Sequence, residues 1–303
     1  MDIGRTLAGN VEMAWGAEGV RWLADLPALA ASVAADWELE TGPPFPLSFH
    51  WVVPAKRSDG TAAVLKLGVP GSQHFADHAA ALEAFAGRGS VRLLAHDPAR
   101  GAQLLERAEP GTPARDLVPD RDADATAATI AVIRRLHAPP PPDCPLPDLA
   151  AQGADFAKYL RAYPDDGPLP RHLVERAAAL HDELCASATA RVVLHGDLHH
   201  DNVLRSEREP WLSIDPFGMV GDPASETGVL LYNPDPPLRD NALLELVPAR
   251  IEQLADGLGQ PVERVVAWGF VKAVLSEVWD VEGGHTEGGR ALDVAWQLLP
   301  RLP

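Results

Sequence analysis

The chain has 303 residues, with 26 Lys plus Arg against 43 Asp plus Glu, a formal net charge of −17. That balance argues against a general nucleic-acid binder, whose phosphate contacts need many cations, and against attachment to an anionic membrane surface. Hydrophobic residues at 46% suffice for a packed core, Cys144 and Cys185 build no disulfide scaffold, and neither a signal peptide nor a membrane-spanning run is recognisable, so a cytoplasmic protein is expected.

Asp25–Trp37 has apolar residues at helical spacing with Pro27 in its first turn, which reads as a helix start. TGPPFP at 41–46 ends it. His50–Ala55 and Ala62–Leu67 are short apolar runs around an Asp59-Gly60 turn, the sign of a hairpin. Gln73–Ala86 reads as a helix ending at Gly87. Val91–Ala95 and Gly101–Glu106 form a second strand-turn-strand candidate. AEPGTP at 108–113 is turn-rich and marks a boundary. Residues 1–107 thus read as a small sheet with one packed helix, and 108–303 as a mostly helical lobe. In that lobe helices are expected at Ala123–His137, Asp155–Tyr163, Leu173–Ala186, Asn241–Leu258, Val262–Val281 and Arg290–Leu299. Val192–Leu194 reads as a strand, and Val203–Leu204 with Trp211–Ile214 as a hairpin.

The chemistry concentrates in VVLHGDLHHDNVL at 192–204 and WLSIDPFG at 211–218. Phosphoryl transfer needs a carboxylate to take the proton of the attacking hydroxyl, and hard oxygen ligands to hold Mg²⁺ against the nucleotide phosphates. Asp197 suits the first role. Asn202 and Asp215, on either side of a hairpin, suit the second. The protein-kinase pattern H-R-D-x-x-x-x-N followed by D-F-G appears here as HGDLHHDN and DPFG. His195 is expected as an internal hydrogen-bonding residue, and His199, His200 and Asp201 as exposed loop residues near the site. A zinc site of His195, His199 and Asp201 would need a helix, which Gly196-Asp197 after a strand disfavours.

AVLKL at 63–67 supplies Lys66 for the α- and β-phosphates, the rival reading being an edge-strand lysine facing solvent. Its acidic partner on the next helix is Asp77 or Glu83. Ala102–Leu105 followed by Glu106, Arg107 and Ala108 fits a hinge whose backbone, at Glu106 and Ala108, holds an adenine ring. No glycine-rich phosphate loop is recognisable. PPFPLSF at 43–49 stands in its place, with Ser48 and backbone amides as candidate phosphate contacts.

These residues resemble the aminoglycoside phosphotransferases, in particular the streptomycin 6-phosphotransferase and hydroxyurea kinase branch. The resemblance runs from RWLADLPALAASVAADWEL at 21–39 through AVLKL, VRLLAHD at 91–97, LLERAEPG at 104–111 and LHGDLHHDNVL at 194–204. It continues through REPWLSIDPFGMVGDPASE at 208–226 to VWDVEGG at 278–284. It implies an α+β, bilobal, protein-kinase-like fold: a small N-terminal antiparallel-sheet lobe (1–107, nucleotide-binding) and a larger, mostly helical C-terminal lobe (108–303, catalytic loop and acceptor site). It also implies ATP and Mg²⁺ as cofactors, and transfer of the γ-phosphoryl group to a hydroxyl of an aminoglycoside-type antibiotic such as streptomycin. By position it makes Asp197 the base, Asn202 and Asp215 the metal ligands and Lys66 the phosphate clamp, with mainly structural roles for Asp222 and Glu226. Three features depart from the pattern. His78 falls where the lysine-pairing Glu is usual, Gly196 where the streptomycin branch tends to have Trp, and ETGVLLYNP at 226–234 is closer to the broader branch.

A cationic small-molecule acceptor calls for acidic residues of the helical lobe, and Asp280, Glu277 and Glu282 are the candidates. Trp268 and Trp279 are expected to pack in the core. The negative net charge would raise the local concentration of such an acceptor. Two rival readings remain. One is a metabolic kinase of the same fold acting on a sugar, amino sugar or other small hydroxyl compound. The other is a nucleotide-binding regulatory protein without catalysis, which the intact Asp197, Asn202 and Asp215 set disfavours.

Overall fold

The protein is represented by a computed structural model that describes residues 4–234, 241–285 and 287–302. Its first element, α1 (Arg5–Asp36), begins well before Asp25. Gly16, at φ 52 and ψ −131, divides it into two segments, and Pro27 lies inside the second rather than at its start. A helix tolerates an interior proline at a cost that packing can offset. Here Trp22, Leu26, Ala30 and Val33 recur at helical spacing and bury against the strands beneath. Each such side chain contributes roughly 1.5–3 kcal/mol by leaving water.

Those strands are β1 (Leu39–Thr41), β2 (Trp51–Arg57), β3 (Ala62–Leu67), β4 (Leu93–Asp97) and β5 (Ala102–Glu106), in one antiparallel sheet of order β1-β2-β3-β5-β4. Alternation gives the sheet two faces. Trp51, Val53, Ala55, Ala63, Leu65 and Leu67 pack with α1. Val52, Val64 and Lys66 take the opposite face, with Val52 directly across from Lys66. On that side α2 (Gln73–Phe85) sets Leu82 against Leu105 and Leu212, while Ala81 and Phe85 enter the core of the helical lobe. The small sheet and the helical lobe are thereby locked together through one helix.

After Glu106 the chain leaves this sheet. β6 (Pro110–Pro113) pairs with β8 (Val203–Ser206), which pairs in turn with β9 (Trp211–Ser213), and β7 (Val192–Leu194) pairs with β10 (Met219–Gly221). β1, β6 and β10 escape a sequence reading because they are only three or four residues long, and β6 and β10 contain Pro or Gly, which are depleted in strands. The rest is helical: α3 (Asp122–Leu136), α4 (Gly153–Ala162), α5 (Arg171–Ala186), α6 (Val229–Tyr232), α7 (Val247–Leu258), α8 (Val262–Glu282) and α9 (Arg290–Leu298). The predicted helix from Asn241 is split. Asn241–Leu246 forms a 3₁₀ helix, and α7 restarts at Val247 with Pro248 in its first turn, where a missing amide does no harm. α8 runs through the middle of the lobe against α5 and α9, with Trp268, Phe270, Val271 and Leu275 fully buried. No described helix is long and apolar enough to cross a membrane.

Candidate active site

The turn between β7 and the 3₁₀ helix His200–Asn202 carries the polar loop, and two buried groups fix its shape. Glu226 accepts the backbone N–H of His195 at 2.7 Å and of Gly196 at 2.8 Å. His195, with no exposed surface, accepts the Asp197 amide at Nδ1 (3.3 Å), so its Nε2–H donates to the Ile214 carbonyl at 2.8 Å. One imidazole thus joins the loop of Asp197 to the strand that delivers Asp215. Both of its nitrogens are engaged, which removes His195 from the zinc reading. Gly196 sits at φ 86, where a Cβ would lie 3.0 Å from Met219 and 3.2 Å from Phe217, so a side chain there would be strained as well as crowded.

Burial pushes the Asp197 carboxyl up to about 6; the neighbouring His199 opposes that shift and Asp215 adds to it. His199 lies 3.6 Å from Asp197 and 3.4 Å from Asp201, which also binds Arg115 at 2.6 Å. The expectation of a freely exposed His-His-Asp run is therefore corrected: His200 is completely buried and His199 is wedged between two carboxylates. The Asn202 side-chain N–H₂ donates to the Asp197 carbonyl at 2.9 Å, which turns its amide oxygen into the free end of the group.

Asp215 occupies the left-handed region at φ 59, a conformation that costs a non-glycine residue of order 1–3 kcal/mol. Gly218 lets the chain turn away, since a Cβ there would fall 2.7 Å from the Asp77 carbonyl. The Asp215 carboxylate binds Lys66 Nζ, and His78 Nε2 lies 3.4 Å from the same oxygen. Burial would raise this carboxyl, but the charge of Lys66 and the contact with His78 hold it well below the usual range. This corrects both expected partners of Lys66. Asp77 takes a hydrogen bond from Gln73 at 2.8 Å, and Glu83 is exposed. The helix position facing the lysine belongs to His78, which burial and Lys66 keep neutral, with its pKa lowered to about 4.

Asn202 and Asp215 bring oxygen donors of the kind a hard cation takes. The amide oxygen and the carboxylate are the hard donors Mg²⁺ prefers, and the Asn202 oxygen has no protein donor among the described residues.

Two cavities adjoin these loops: Asp215 lines one, and Asp197 and Phe217 line the other. One, of about 390 Å³, lies between the sheet and the β8–β9 hairpin. Val52 and Val64 line it from the sheet, Leu204 and Ile214 from the hairpin, and Lys66 and Asp215 at one end. Glu106 and Ala108 line its other end, so the residues expected at a hinge are at the cavity wall. The Glu106 carboxylate itself is tied to Arg208 at 2.6 and 2.9 Å, and Arg208 also donates to the Gly87 and Ser90 carbonyls, both at 2.7 Å.

The other cavity, of about 340 Å³, is lined by Asp197, Phe217, Tyr232, Glu277, Trp279 and Asp280, among others. Of the three acidic candidates, the structure brings Asp280 and Glu277 here. Glu277 is almost wholly buried, and its carboxylate accepts the amides of Gly289 (3.0 Å) and Leu292 (2.8 Å) at the start of α9. Glu282 lies outside, paired with Lys158 at 2.9 Å. Trp268 is fully buried, as expected, and its indole N–H donates to Asp222, whereas Trp279 is 38% exposed in the cavity wall with its N–H bound to Asp155 at 2.9 Å. Trp279 and Phe217 sit in motifs that a sequence reading can flag. Tyr232 and Arg290 carry no local signal, because only the packing of α6, α8 and α9 brings them to Asp197.

A lysine on a sheet strand meeting an aspartate on a facing loop, across a cleft with a hinge at one end, is the arrangement of the protein-kinase-like phosphotransferases, and that is the class of this fold. Within it the chain belongs to the aminoglycoside/hydroxyurea antibiotic resistance kinases, whose family model matches residues 42–284. It is 35% identical to a streptomycin 6-kinase of Streptomyces glaucescens over 301 residues, covering 97% of this chain and 94% of the other. It is 37% identical to a hydroxyurea phosphotransferase of Kitasatospora aureofaciens over 294 residues, covering 94% and 82%. Among solved structures it resembles an aminoglycoside phosphotransferase, APH(3'')-Id, from Streptomyces rimosus in complex with ADP and streptomycin. That match has a TM-score of 0.56 and 22% identity, and covers 84% of this chain and 98% of the other.

Proposed function

We propose that the chain transfers the γ-phosphoryl group of ATP to a hydroxyl of an aminoglycoside-type antibiotic such as streptomycin. The observation that carries this reading is how the residues of the two loops are divided between the two cavities. Asp215 and Lys66 line one, Asp197 lines the other, and Asn202 is hydrogen-bonded to the backbone of Asp197. In-line transfer requires a phosphate donor and a hydroxyl to approach from opposite sides.

In this reading the apolar walls of the first cavity take the adenine, and the backbone at Glu106 and Ala108 reads its edge. Lys66 exchanges Asp215 for the phosphates. Asn202 and Asp215 are the groups that would hold Mg²⁺, which when bound neutralises phosphate charge. Asp197 accepts the proton of the acceptor hydroxyl, and a pKa of about 6 leaves it ionised at neutral pH yet basic enough for the task. Asp280 supplies negative charge for a cationic acceptor, and the streptomycin 6-kinase relatives support an acceptor of that kind. The reading of Glu282 as an acceptor ligand finds no support in its position.

The test is turnover of Mg²⁺-ATP with streptomycin, other aminoglycosides, hydroxyurea and simple amino sugars, with Asp197→Ala as the control. Phosphorylated streptomycin formed by the wild type and not by the variant is the expected result. Turnover confined to an amino sugar would transfer the protein to metabolism, and turnover confined to hydroxyurea would remove the cationic acceptor.

A further inference from the structure

We propose that His50 is a nucleotide-binding residue whose imidazole donates a hydrogen bond to the polyphosphate chain, taking the part that the backbone amides of a glycine-rich loop play in other kinases. The inference rests on the reading of the cleft as a nucleotide site and adds to it a residue outside the catalytic loop.

The first observation is what the loop over the phosphates lacks. It joins β1 to β2, spans 42–50 and reads GPPFPLSFH. Pro43, Pro44 and Pro46 have no N–H to offer. The amides of Gly42 and Phe45 already donate to the carbonyls of Pro54 (2.9 Å) and Val52 (3.0 Å). Gly42 is the loop's single glycine, and it lies against the Pro54 ring, where a Cβ would be 2.9 Å away. The first half of the loop therefore offers the phosphates no N–H, the glycine-rich run that usually shapes a phosphate cradle is missing, and the donors left to the loop lie in its second half, Leu47 to His50.

The second observation is where His50 lies. Strand pairing sets Val52 opposite Lys66 and Trp51 opposite Leu67. Side chains two residues apart share a face, so His50 follows Val52 on the cleft side, one step beyond Lys66. Along β3 the hinge end is Ala63, which pairs with Glu106. Reading away from the hinge, the cleft face therefore presents Val64, then Lys66, then His50. That is the order of base, first phosphates and terminal phosphates in an extended nucleotide. His50 lines the same cavity as Lys66 and Asp215.

The third observation is the state of the ring. His50 is only 7% exposed, and its Nε2 is buried without a hydrogen-bond partner. A buried polar atom left unpaired is costly and rare, and in a cleft the missing partner is most simply a ligand. The ring is held by Phe75, with centroids 5.4 Å apart, and by His74 at 5.9 Å in a stacked arrangement. Burial, and then the charge of Lys66, keep it neutral, so it meets the phosphates as a neutral donor and adds no second cation beside the lysine. Either nitrogen can carry the proton, and a phosphate oxygen selects the tautomer that donates to it.

The experiment is calorimetric binding of Mg²⁺-ATP, Mg²⁺-ADP, AMP and adenosine to the full chain and to His50→Ala, His50→Phe and His50→Gln, with thermal melts to verify folding. Loss of a hydrogen bond to a charged group weakens binding about tenfold or more. Ala and Phe should therefore weaken ATP by about that factor while changing adenosine less than about twofold, and Gln, which retains an N–H donor, should recover most of the loss. Phe keeps the bulk of the ring without the donor, so the Phe and Gln pair decides the matter if Ala does not fold. Equal weakening of ATP and adenosine would make His50 a packing residue and overturn the inference. So would unchanged ATP binding in both Ala and Phe. If the wild type binds neither ATP nor adenosine, the nucleotide-site reading fails first and the inference falls with it.

Discussion

The cavity lined by Asp215 and the cavity lined by Asp197 are made from different material. The side proposed for nucleotide takes its walls from neighbouring strands and one hairpin. They are apolar, from Val52, Val64, Leu105, Leu204 and Ile214, and the charges at the end, Lys66 and Asp215, satisfy each other. The side proposed for the acceptor is assembled from the Asp197 loop, Phe217, the end of α6, the last turns of α8 and the start of α9. It is more polar, with Asp197 and Asp280, and two of its rings stand open, Phe217 at 40% and Trp279 at 38% exposure. A flat base common to every nucleotide suits the first kind of wall, while a polar acceptor that differs between enzymes suits the second. Damage to the nucleotide side should lower turnover with every acceptor. Damage to the acceptor side should change which acceptor is used.

The largest effect is expected at Asp197. Asp197→Ala and Asp197→Asn should both lower kcat by about 10²–10⁴, the usual worth of a general base, with Mg²⁺-ATP affinity changed less than about twofold. The Asn variant should in addition melt higher than the wild type at pH 7. The folded protein holds the Asp197 proton up to about 6 against an ordinary 3.8, so folding favours the protonated form, and stability is lost as pH rises from about 4 to about 6. Asn is spared that loss. The difference in Tm should therefore be widest above pH 6 and close below pH 4, and a flat difference across that range would refute the assigned pKa. A fall in ATP affinity as large as the fall in kcat would refute the separation of the two sides.

Next comes Glu226→Gln. Glu226 holds the loop through the amides of His195 and Gly196, so the variant should lose about 1–3 kcal/mol in a urea titration and carry a lower kcat with every acceptor tried. Retained stability with a changed acceptor preference would move Glu226 from the scaffold of the loop to the acceptor wall.

How much of this was legible in the sequence follows the same division. HGDLHHDN, IDPFG and AVLKL hold the proposed phosphate-handling residues within short stretches, so spacing suggested Asp197, Asn202 and Asp215, and a lone lysine in an apolar strand suggested Lys66. The sheet of β2 to β5 was legible because its strands alternate and its turns carry Asp-Gly or Pro. The surroundings of Lys66 were only partly legible: the family resemblance put His78 at the helix position, but nothing local showed that the lysine binds Asp215 and that Asp77 and Glu83 face elsewhere. Which side chain α2 presents to β3 is set by packing of Phe75, Leu82 and Phe85 rather than by the charges at Asp77 and Glu83. The long start of α1 was hidden because Gly16 does break it into two segments, while Pro27 is a breaker whose local preference tertiary packing overrides. Trp279 was expected in the core because Trp on an apolar helix usually is, yet it falls where α8 has run past its neighbours.

The acceptor side is sharpened by three acids at one end of α8 that look equivalent in sequence. Glu277→Gln should act on folding: it removes an acceptor shared by the amides of Gly289 and Leu292, for a loss of about 1–3 kcal/mol. Asp280→Asn should leave stability nearly unchanged and raise KM for a cationic acceptor severalfold, with ATP affinity constant. That effect should shrink in high salt, where the Debye length falls to about 3 Å at 1 M.

Glu282→Ala should do least. Its partner Lys158 is 63% exposed, and such surface pairs are worth about 0–1 kcal/mol. Glu282 is five residues from Glu277, and at 3.6 residues per turn that separation turns it away from the face shared by Glu277 and Asp280. Its side chain therefore answers to Lys158 on α4 and not to the cavity. Neither Tm nor KM should move measurably. A rise in KM matching that of Asp280→Asn would mean that the acceptor reaches past Trp279 to the Lys158 side of the helix. The acceptor wall would then have to be redrawn to include α4, and it would no longer be confined to the loop and helix ends that distinguish it from the strand-built nucleotide side.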